Sequence, residues 1–115
     1  MSVTIYHNPR CSKSRQTLEL IMNKNIEPVI IEYLNSPPDT DELKRILKIL
    51  NMKPRDLMRN KEPVYKAKGL DDKSLTDDQL IQAMIENPIL IERPIVVADG
   101  RAILGRPPEN VLEII

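Results

Sequence analysis

The order of apolar and polar positions predicts a strand, a helix and a second strand in the first third of the chain. Val3–His7 is typical of a short β-strand, and Pro28–Tyr33 contains the β-branched run typical of another. Between them, from about Ser12 to Asn25, apolar residues recur on one helix face, at Leu18, Ile21 and Met22. A strand, a helix and a strand in this length predict a βαβ unit with parallel strands and a right-handed crossover.

The middle of the chain predicts helices. Asp39 with Glu42 three residues later is an N-cap pattern. The apolar residues that follow it at helical spacing are Leu43, Ile46, Leu47 and Leu50. Thr76–Gln79 is a capping box that opens a further helix ending near Asn87. The apolar residues of this second helix are Leu80, Met84 and Ile85.

Two shorter segments lie between these helices. Pro54 begins a short helix that runs to about Asn60, and Pro63 and Gly69 bracket another segment. No linker sets residues 39–87 apart from the rest of the chain. We therefore predict a helical insert within a single domain that spans residues 1–115.

The last third returns to strands. The runs 95–98 and 102–104 flank Asp99-Gly100, a strong signal for a two-residue hairpin. Pro107-Pro108 then opens a closing helix whose apolar residues are Val111, Leu112 and Ile115. This order of elements predicts an α/β protein with a four-stranded mixed sheet flanked by helices, which is the layout of a thioredoxin-like fold.

Composition and charge narrow the function classes. The 17 basic and 17 acidic residues balance, so net charge supports neither nucleic-acid binding nor attachment to a membrane surface. No apolar run approaches the roughly 20 residues that span a bilayer, and no basic-then-apolar segment at the N-terminus indicates a signal peptide. One cysteine and one histidine form no metal cluster of usual spacing. We expect a cytoplasmic monomer without a metal.

Cys11 is the only cysteine, and it lies where the first strand turns into the first helix. Residues 1–18 contain Arg10, Lys13 and Arg15 and no acidic residue, although a helix start normally favours acidic side chains. Such a local inconsistency is typical of a functional site, with a solvated basic turn as the alternative. Helix N-termini and cationic neighbours lower a cysteine pKa from about 8.5 to roughly 3.5–7.5, which predicts a reactive thiolate rather than an inert buried thiol.

The residues after Cys11 limit its chemistry. Ser14 stands where a C-x-x-C motif has its second thiol, so a redox cycle here must finish with an outside thiol. The Ser14 hydroxyl either donates to the thiolate or caps the helix. The C-x5-R spacing of cysteine phosphatases fails because Thr17 occupies the arginine position, and no phosphate-binding G-x-x-x-x-G-K loop is present.

Four separated motifs resemble the ArsC-type, glutaredoxin-coupled arsenate reductases, and the short YfgD-like branch in particular. The opening motif is His7-Asn8-Pro9-x-Cys11 with Ser14-Arg15 and Thr17-Leu18. The three later motifs each carry an arginine, and they are Leu57–Asn60, Glu92–Val97 and Gly105–Pro107. The resemblance covers nearly the whole chain, although longer members of the family continue past the position of Ile115.

The resemblance implies roles for several of these positions. The thiolate of Cys11 attacks arsenate, and arginines at the positions of Arg59, Arg93 and Arg106 surround the oxyanion, for which the planar guanidinium is well suited. His7 and Ser14 assist thiolate formation, although a strand-end histidine bonded to backbone is the alternative for His7. Arg10 and Arg15 are expected to give electrostatic support. Pro94 is expected to follow a cis peptide bond and to face the thiol.

The expected reaction is therefore reduction of arsenate to arsenite, with glutathione as co-substrate, glutaredoxin as partner and no bound cofactor. Two alternatives remain open from the sequence. One is a glutathione-linked thiol oxidoreductase that acts on mixed disulfides or another oxyanion. The other is an Spx-like regulator that binds RNA polymerase, although such regulators usually carry a C-x-x-C switch.

Overall fold

The computed structural model, which describes residues 1–115, contains a four-stranded mixed sheet. The strands are β1 (Val3–His7), β2 (Val29–Glu32), β3 (Ile95–Ala98) and β4 (Arg101–Leu104), and their order is β2-β1-β3-β4. β1 and β2 are parallel, whereas β3 is antiparallel to both of its neighbours. The predicted thioredoxin-like layout is confirmed.

Five α-helices and two short 3₁₀ helices connect and follow the strands. The α-helices are α1 (Ser12–Asn23), α2 (Thr40–Leu50), α3 (Pro54–Leu57), α4 (Pro63–Ala67) and α5 (Asp77–Glu86). The 3₁₀ helices are Pro88–Leu90 and Pro108–Glu113. The closing element is thus a 3₁₀ helix, and α3 ends before the predicted Asn60. None of the helices is long and apolar enough to cross a membrane.

The chain divides into two compact units. The first comprises Met1–Ser36 and Arg93–Ile115, and it contains the sheet, α1 and the closing 3₁₀ helix. The second comprises Pro37–Glu92 and contains α2 to α5, which is the region predicted as a helical insert. That the whole chain acts as one domain stays a prediction.

In the first unit, one face of the sheet packs against α1 and the closing 3₁₀ helix. The core of this layer consists of buried apolar residues from all these elements, namely Val3, Ile5, Ile21, Val96, Ala98, Val111 and Ile114. Alternate residues of a strand point to the same face, which is why Val3 and Ile5 enter this core together. Burial of these side chains fixes α1 on the sheet and thereby fixes where its N-terminus lies.

The inward face of α1 differs from the predicted one. The residues of α1 that are fully enclosed are Ser14, Thr17 and Ile21, whereas Met22 is 56% exposed. The prediction that Met22 belongs to the packed face is wrong, because the face is rotated toward two polar residues that an apolar pattern does not detect. Ser14 is thereby held beside His7 at the end of β1, whereas Thr17 lies against Gly105.

The predicted hairpin turn and helix N-caps are present in the structure. Asp99 and Gly100 have φ values of 48° and 80°, so both adopt the left-handed conformation that a two-residue hairpin between β3 and β4 requires. In the second unit, the Asp39 carboxylate accepts from the Glu42 N–H at 2.8 Å and begins α2. Thr76 and Gln79 form a reciprocal capping box at the start of α5.

Arg55 ties three parts of the second unit together, and its removal is expected to destabilise the protein. Its guanidinium donates to Tyr65 Oη at 2.6 Å and to the backbone oxygens of Leu70 and Asp72 at 2.7 and 2.9 Å. Arg55→Ala should lower the free energy of unfolding by about 2 kcal/mol, measured by urea unfolding, because these charge-assisted bonds are lost.

Arg45→Ala is the matched control for this change. Arg45 bonds Glu42 at 2.6 Å on the exposed surface of α2. Such surface pairs contribute less than about 1 kcal/mol. Equal effects of the two substitutions would contradict a structural role for Arg55.

Candidate active site

Cys11 lies at the junction between β1 and α1, as the sequence predicts. It is the N-cap residue of α1, and its extended backbone (φ −93°, ψ 123°) leads the chain into the first helical turn. Its N–H donates to the Asn8 backbone oxygen at 3.0 Å, which closes the turn between strand and helix. The thiol is partly exposed and forms no disulfide.

Three hydrogen-bond donors act on the sulfur of Cys11. Partial burial alone raises the pKa of the Cys11 thiol, because it removes water from the charged form. The N–H of Ser14, the guanidinium of Arg93 and the N–H of Lys13 act in the opposite direction and outweigh burial. The net pKa of Cys11 is lowered, so the site favours the thiolate.

Ser14 meets the sulfur through its backbone rather than through its hydroxyl. The hydroxyl oxygen accepts from the Asn8 N–H at 3.0 Å and lies 2.7 Å from His7 Nδ1. No side chain caps α1. The Ser14 hydroxyl therefore neither donates to the sulfur nor caps α1, the two roles predicted for it. Its buried side chain points toward the end of β1 instead.

His7 is the last residue of β1, and its side chain bonds to Ser14 rather than to backbone. Burial lowers the pKa of His7, with a smaller contribution in the same direction from Arg15, and the Glu32 carboxylate on the neighbouring strand opposes them. The net pKa lies below its ordinary value. The imidazole is therefore neutral at neutral pH, and it holds Ser14 without adding charge near Cys11.

The lowered pKa of His7 predicts a pH dependence of stability. As pH falls below the ordinary value of 6.5, an unfolded His7 takes up a proton before the folded one does. The unfolded state then binds more protons, so the stability contribution that is present above pH 6.5 is lost as pH falls through the window between 6.5 and the folded pKa. His7→Gln should remove this part of the pH dependence.

Urea unfolding of the wild type and of His7→Gln at about pH 7.5 and about pH 5.5 provides the measurement. The difference between the two proteins isolates His7 from the carboxylates that titrate in both. Parallel loss of stability in the two proteins would show that His7 keeps an ordinary pKa.

Arg93 and Arg106 lie in the same unit as Cys11, each before a proline. The Arg93-Pro94 and Arg106-Pro107 peptide bonds are both cis. The first was implied by the resemblance, and the second was not predicted. Arg106 Nη1 donates to the Arg93 backbone oxygen at 3.2 Å, so the two arginine segments are joined directly.

Arg59 lies in the second unit, and two carboxylates hold it there. Its Nη1 donates to Glu92 at 2.6 Å and its Nε to Glu62 at 3.3 Å. Burial lowers the pKa of Arg59, but these carboxylates more than offset that and raise it. The spacing of Arg59 and Glu62 is a signal for one of these pairs, whereas nothing local in the sequence indicates Glu92. Oxyanion binding by Arg59 stays a prediction.

The two exposed arginines beside Cys11 differ in what they contact. Arg15 Nη1 donates to the Pro9 backbone oxygen at 2.9 Å, so it braces the turn. Arg10 donates through its backbone N–H to Asn8 Oδ1 at 3.0 Å. Arg10 also lines a cavity of about 380 Å³ together with His7 and Glu32.

Asn8 stands in the opening motif, but the sequence alone indicates no role for it in the site. It is 7% exposed, and its backbone N–H, its backbone oxygen and its side-chain oxygen bond Ser14, Cys11 and Arg10, respectively. The Asn8-Pro9 pair is a turn signal that could have indicated it. No group of three or more His, Cys, Asp or Glu side chains is arranged to hold a metal.

Comparison with known proteins identifies relatives along the whole chain. Residues 6–114 match the model of the ArsC family. The YfgD protein of Escherichia coli K12 is 57% identical over 114 residues, which are 98% of this chain and 96% of that protein. An arsenate reductase of Haemophilus influenzae is 49% identical over 116 residues and matches over the full length of both chains.

A solved structure of a similar protein has the same fold. The arsenate reductase from Vibrio cholerae is 55% identical and superposes with a TM-score of 0.97 over 100% of this chain and 98% of that one. The sheet order and the mixed strand directions described above therefore belong to a fold that experiment has established in a similar protein.

Proposed function

Because the chain belongs to the ArsC family, we propose that it is an arsenate reductase in which the Cys11 thiolate is the nucleophile. The observation that carries this proposal is the set of donors on the Cys11 sulfur, the N–H groups of Ser14 and Lys13 and the guanidinium of Arg93, which lower its pKa. A thiolate is the reactive form of cysteine, so the site is prepared for attack on an electrophile.

The proposed reaction proceeds through two sulfur intermediates. The Cys11 thiolate attacks arsenic(V) and forms an S–As bond, while one arsenate oxygen takes up protons and leaves as water. A glutathione thiolate then attacks the Cys11 sulfur. The S–As bond breaks, its electron pair stays on arsenic, and arsenite leaves as arsenic(III). Two thiols have been oxidised to one disulfide, which balances the two-electron reduction of arsenic.

Regeneration of Cys11 needs a second outside thiol. Cys11 has no partner cysteine in the chain, so the mixed disulfide with glutathione cannot be resolved internally. We assign this step to glutaredoxin, whose thiolate attacks the glutathione sulfur and releases Cys11 as thiolate. A location in the cytoplasm, where glutathione is reduced, fits this requirement. The proposal needs no bound cofactor and takes the protein to be a monomer.

The arginines are assigned to the oxyanion. Arg93 already contacts the Cys11 sulfur, so an arsenate that approaches the sulfur also approaches this guanidinium. Its positive charge offsets the repulsion between thiolate and oxyanion and the charge that develops during attack. Arg106, which bonds the Arg93 backbone, is assigned the same role, and Arg59 is assigned it on family resemblance alone. His7 and Ser14 hold the first turn of α1 under the sulfur.

A coupled assay tests this function. The purified protein is mixed with arsenate, glutathione, glutaredoxin, glutathione reductase and NADPH, and both NADPH oxidation and arsenite are measured. Oxidation should require arsenate and each thiol component, and mass spectrometry of a reaction without glutaredoxin should find glutathione attached to Cys11. Absence of arsenite in the complete mixture would exclude arsenate reduction.

A second candidate is a glutathione-linked thiol oxidoreductase with another substrate. The lowered pKa of Cys11 supports it, because this property assists attack on a disulfide as well as on an oxyanion. Hydroxyethyl disulfide replaces arsenate in the same assay, from which glutaredoxin is left out because it reduces this disulfide by itself. Turnover of the disulfide without turnover of arsenate would favour this second function.

A further inference from the structure

Gly105 is the point where α1 and the two arginine segments of the first unit meet. It follows β4 directly, precedes Arg106, and is buried. A Cβ built at this position would lie 2.7 Å from Pro94 Cγ and 3.0 Å from Thr17 Cγ2, with Thr17 Oγ1 nearer still. Gly105 has no positive φ, so what it supplies here is space rather than backbone freedom.

The segment of Gly105 also holds the Arg93 segment by its backbone. The Gly105 N–H donates to the Pro94 oxygen at 3.0 Å, and Arg106 Nη1 donates to the Arg93 oxygen at 3.2 Å. The backbone oxygens of Arg93 and Pro94 thus accept hydrogen bonds from the consecutive residues Arg106 and Gly105. A shift of residue 105 therefore moves the backbone that carries the Arg93 guanidinium.

Thr17 connects the same point to the sulfur. Its side chain is fully buried, and its hydroxyl donates to the Lys13 backbone oxygen at 2.7 Å, with the Gly105 oxygen at 3.5 Å. Lys13 lies in the first turn of α1, and its N–H is one of the donors to Cys11. Thr17 therefore braces the turn that bonds the sulfur on one side and contacts Gly105 on the other.

We propose that Thr17 and Gly105 are positioning residues that set the separation between the Cys11 sulfur and the Arg93 guanidinium. Thr17 fixes α1 and Gly105 fixes the Arg93 segment, and the missing side chain at position 105 lets the two approach. The value of this contact for catalysis rests on the proposed role of Cys11, whereas the contact itself does not.

Gly105→Ala tests the proposal. The added methyl group must push Thr17 and Pro94 apart, which weakens the contact between Arg93 and the sulfur. The pKa of Cys11, measured from the rate of alkylation by iodoacetamide against pH, should rise. Alkylation at neutral pH should then fall several-fold, because less thiolate is present.

Two comparisons separate positioning from a general loss of stability. Gly100→Ala introduces strain at a φ of 80° in the hairpin but meets no atom within 4 Å, so it should destabilise the fold and leave the Cys11 pKa unchanged. In an Arg93→Gln background, Gly105→Ala should produce a much smaller additional rise, because the contact between Arg93 and the sulfur that it disturbs is already absent. A full additional rise there would overturn the proposal, as would an unchanged pKa in folded Gly105→Ala.

A second pair of variants covers the case in which Gly105→Ala does not fold. Thr17→Ile enlarges the side chain at the same contact, and Thr17→Val keeps its size while it removes the hydroxyl. The proposal expects a higher Cys11 pKa in Thr17→Ile than in Thr17→Val, and equal values would overturn it. These measurements use no arsenate, so a wild-type protein that fails to reduce arsenate would contradict the proposed function and leave this inference intact.

Discussion

Cys11→Ser is expected to abolish arsenate reduction, with a loss of at least about a thousandfold in the coupled assay. A serine hydroxyl in the same place has the donors of the Cys11 sulfur around it but is almost entirely protonated at neutral pH. It also cannot form the disulfide that carries the two electrons. The variant should fold as the wild type does, because Cys11 is partly exposed and makes no side-chain cap.

Ser12→Ala is the matched control for this loss. Ser12 is the exposed first residue of α1, beside Cys11, so its truncation changes the neighbourhood without touching the sulfur. It should retain nearly full activity. Arsenite formation by Cys11→Ser at a rate comparable to that of Ser12→Ala would rule out a cysteine nucleophile.

Arg93→Ala is expected to impair both the ionisation of Cys11 and the reaction with the arsenate oxyanion. The pKa of Cys11 should rise, because burial continues to raise it and one of the groups that opposes burial is gone. Catalytic efficiency with arsenate should fall by about a hundredfold to a thousandfold, the usual effect of removing one donor to a developing anion. Alkylation against pH measures the first effect, and steady-state kinetics measure the second.

Raising the pH distinguishes the two effects of Arg93→Ala, the higher pKa of Cys11 and the lost partner of the oxyanion. A higher pH restores the thiolate and therefore the alkylation rate, but it does not restore the missing partner of the oxyanion. Arg101→Ala serves as the control, because Arg101 is an exposed arginine at the start of β4 in the same unit. If Arg101→Ala and Arg93→Ala reduce efficiency equally, the effect comes from net charge and not from contact with Cys11.

The parts of the fold that follow from local rules are those that the sequence predicts well. The hairpin at Asp99 and Gly100 and the capping box at Thr76 depend on residues next to each other in the chain, so their signals are complete within a few positions. Met22 was misplaced for the opposite reason. The face of α1 that packs is decided by what lies across from it, and buried Ser14 and Thr17 carry no apolar signal.

The same distinction applies to the candidate site. The position of Cys11 at the start of a helix is local and is confirmed. The partners of the Ser14 hydroxyl are not predictable from spacing, since they depend on how the end of β1 faces the first turn of α1. The pairing of Arg59 with Glu92 joins residues that are 33 positions apart, and no pattern of either neighbourhood contains it.

Asn8 shows why an amide, and not a carboxylate, suits the turn before the sulfur. Its side-chain oxygen accepts from the Arg10 N–H, and an aspartate of the same shape would accept that bond equally well. The aspartate would also bring a full negative charge to within three residues of Cys11, where it would favour the protonated thiol. An uncharged acceptor lets the turn close tightly while the anion that the turn presents remains the sulfur alone.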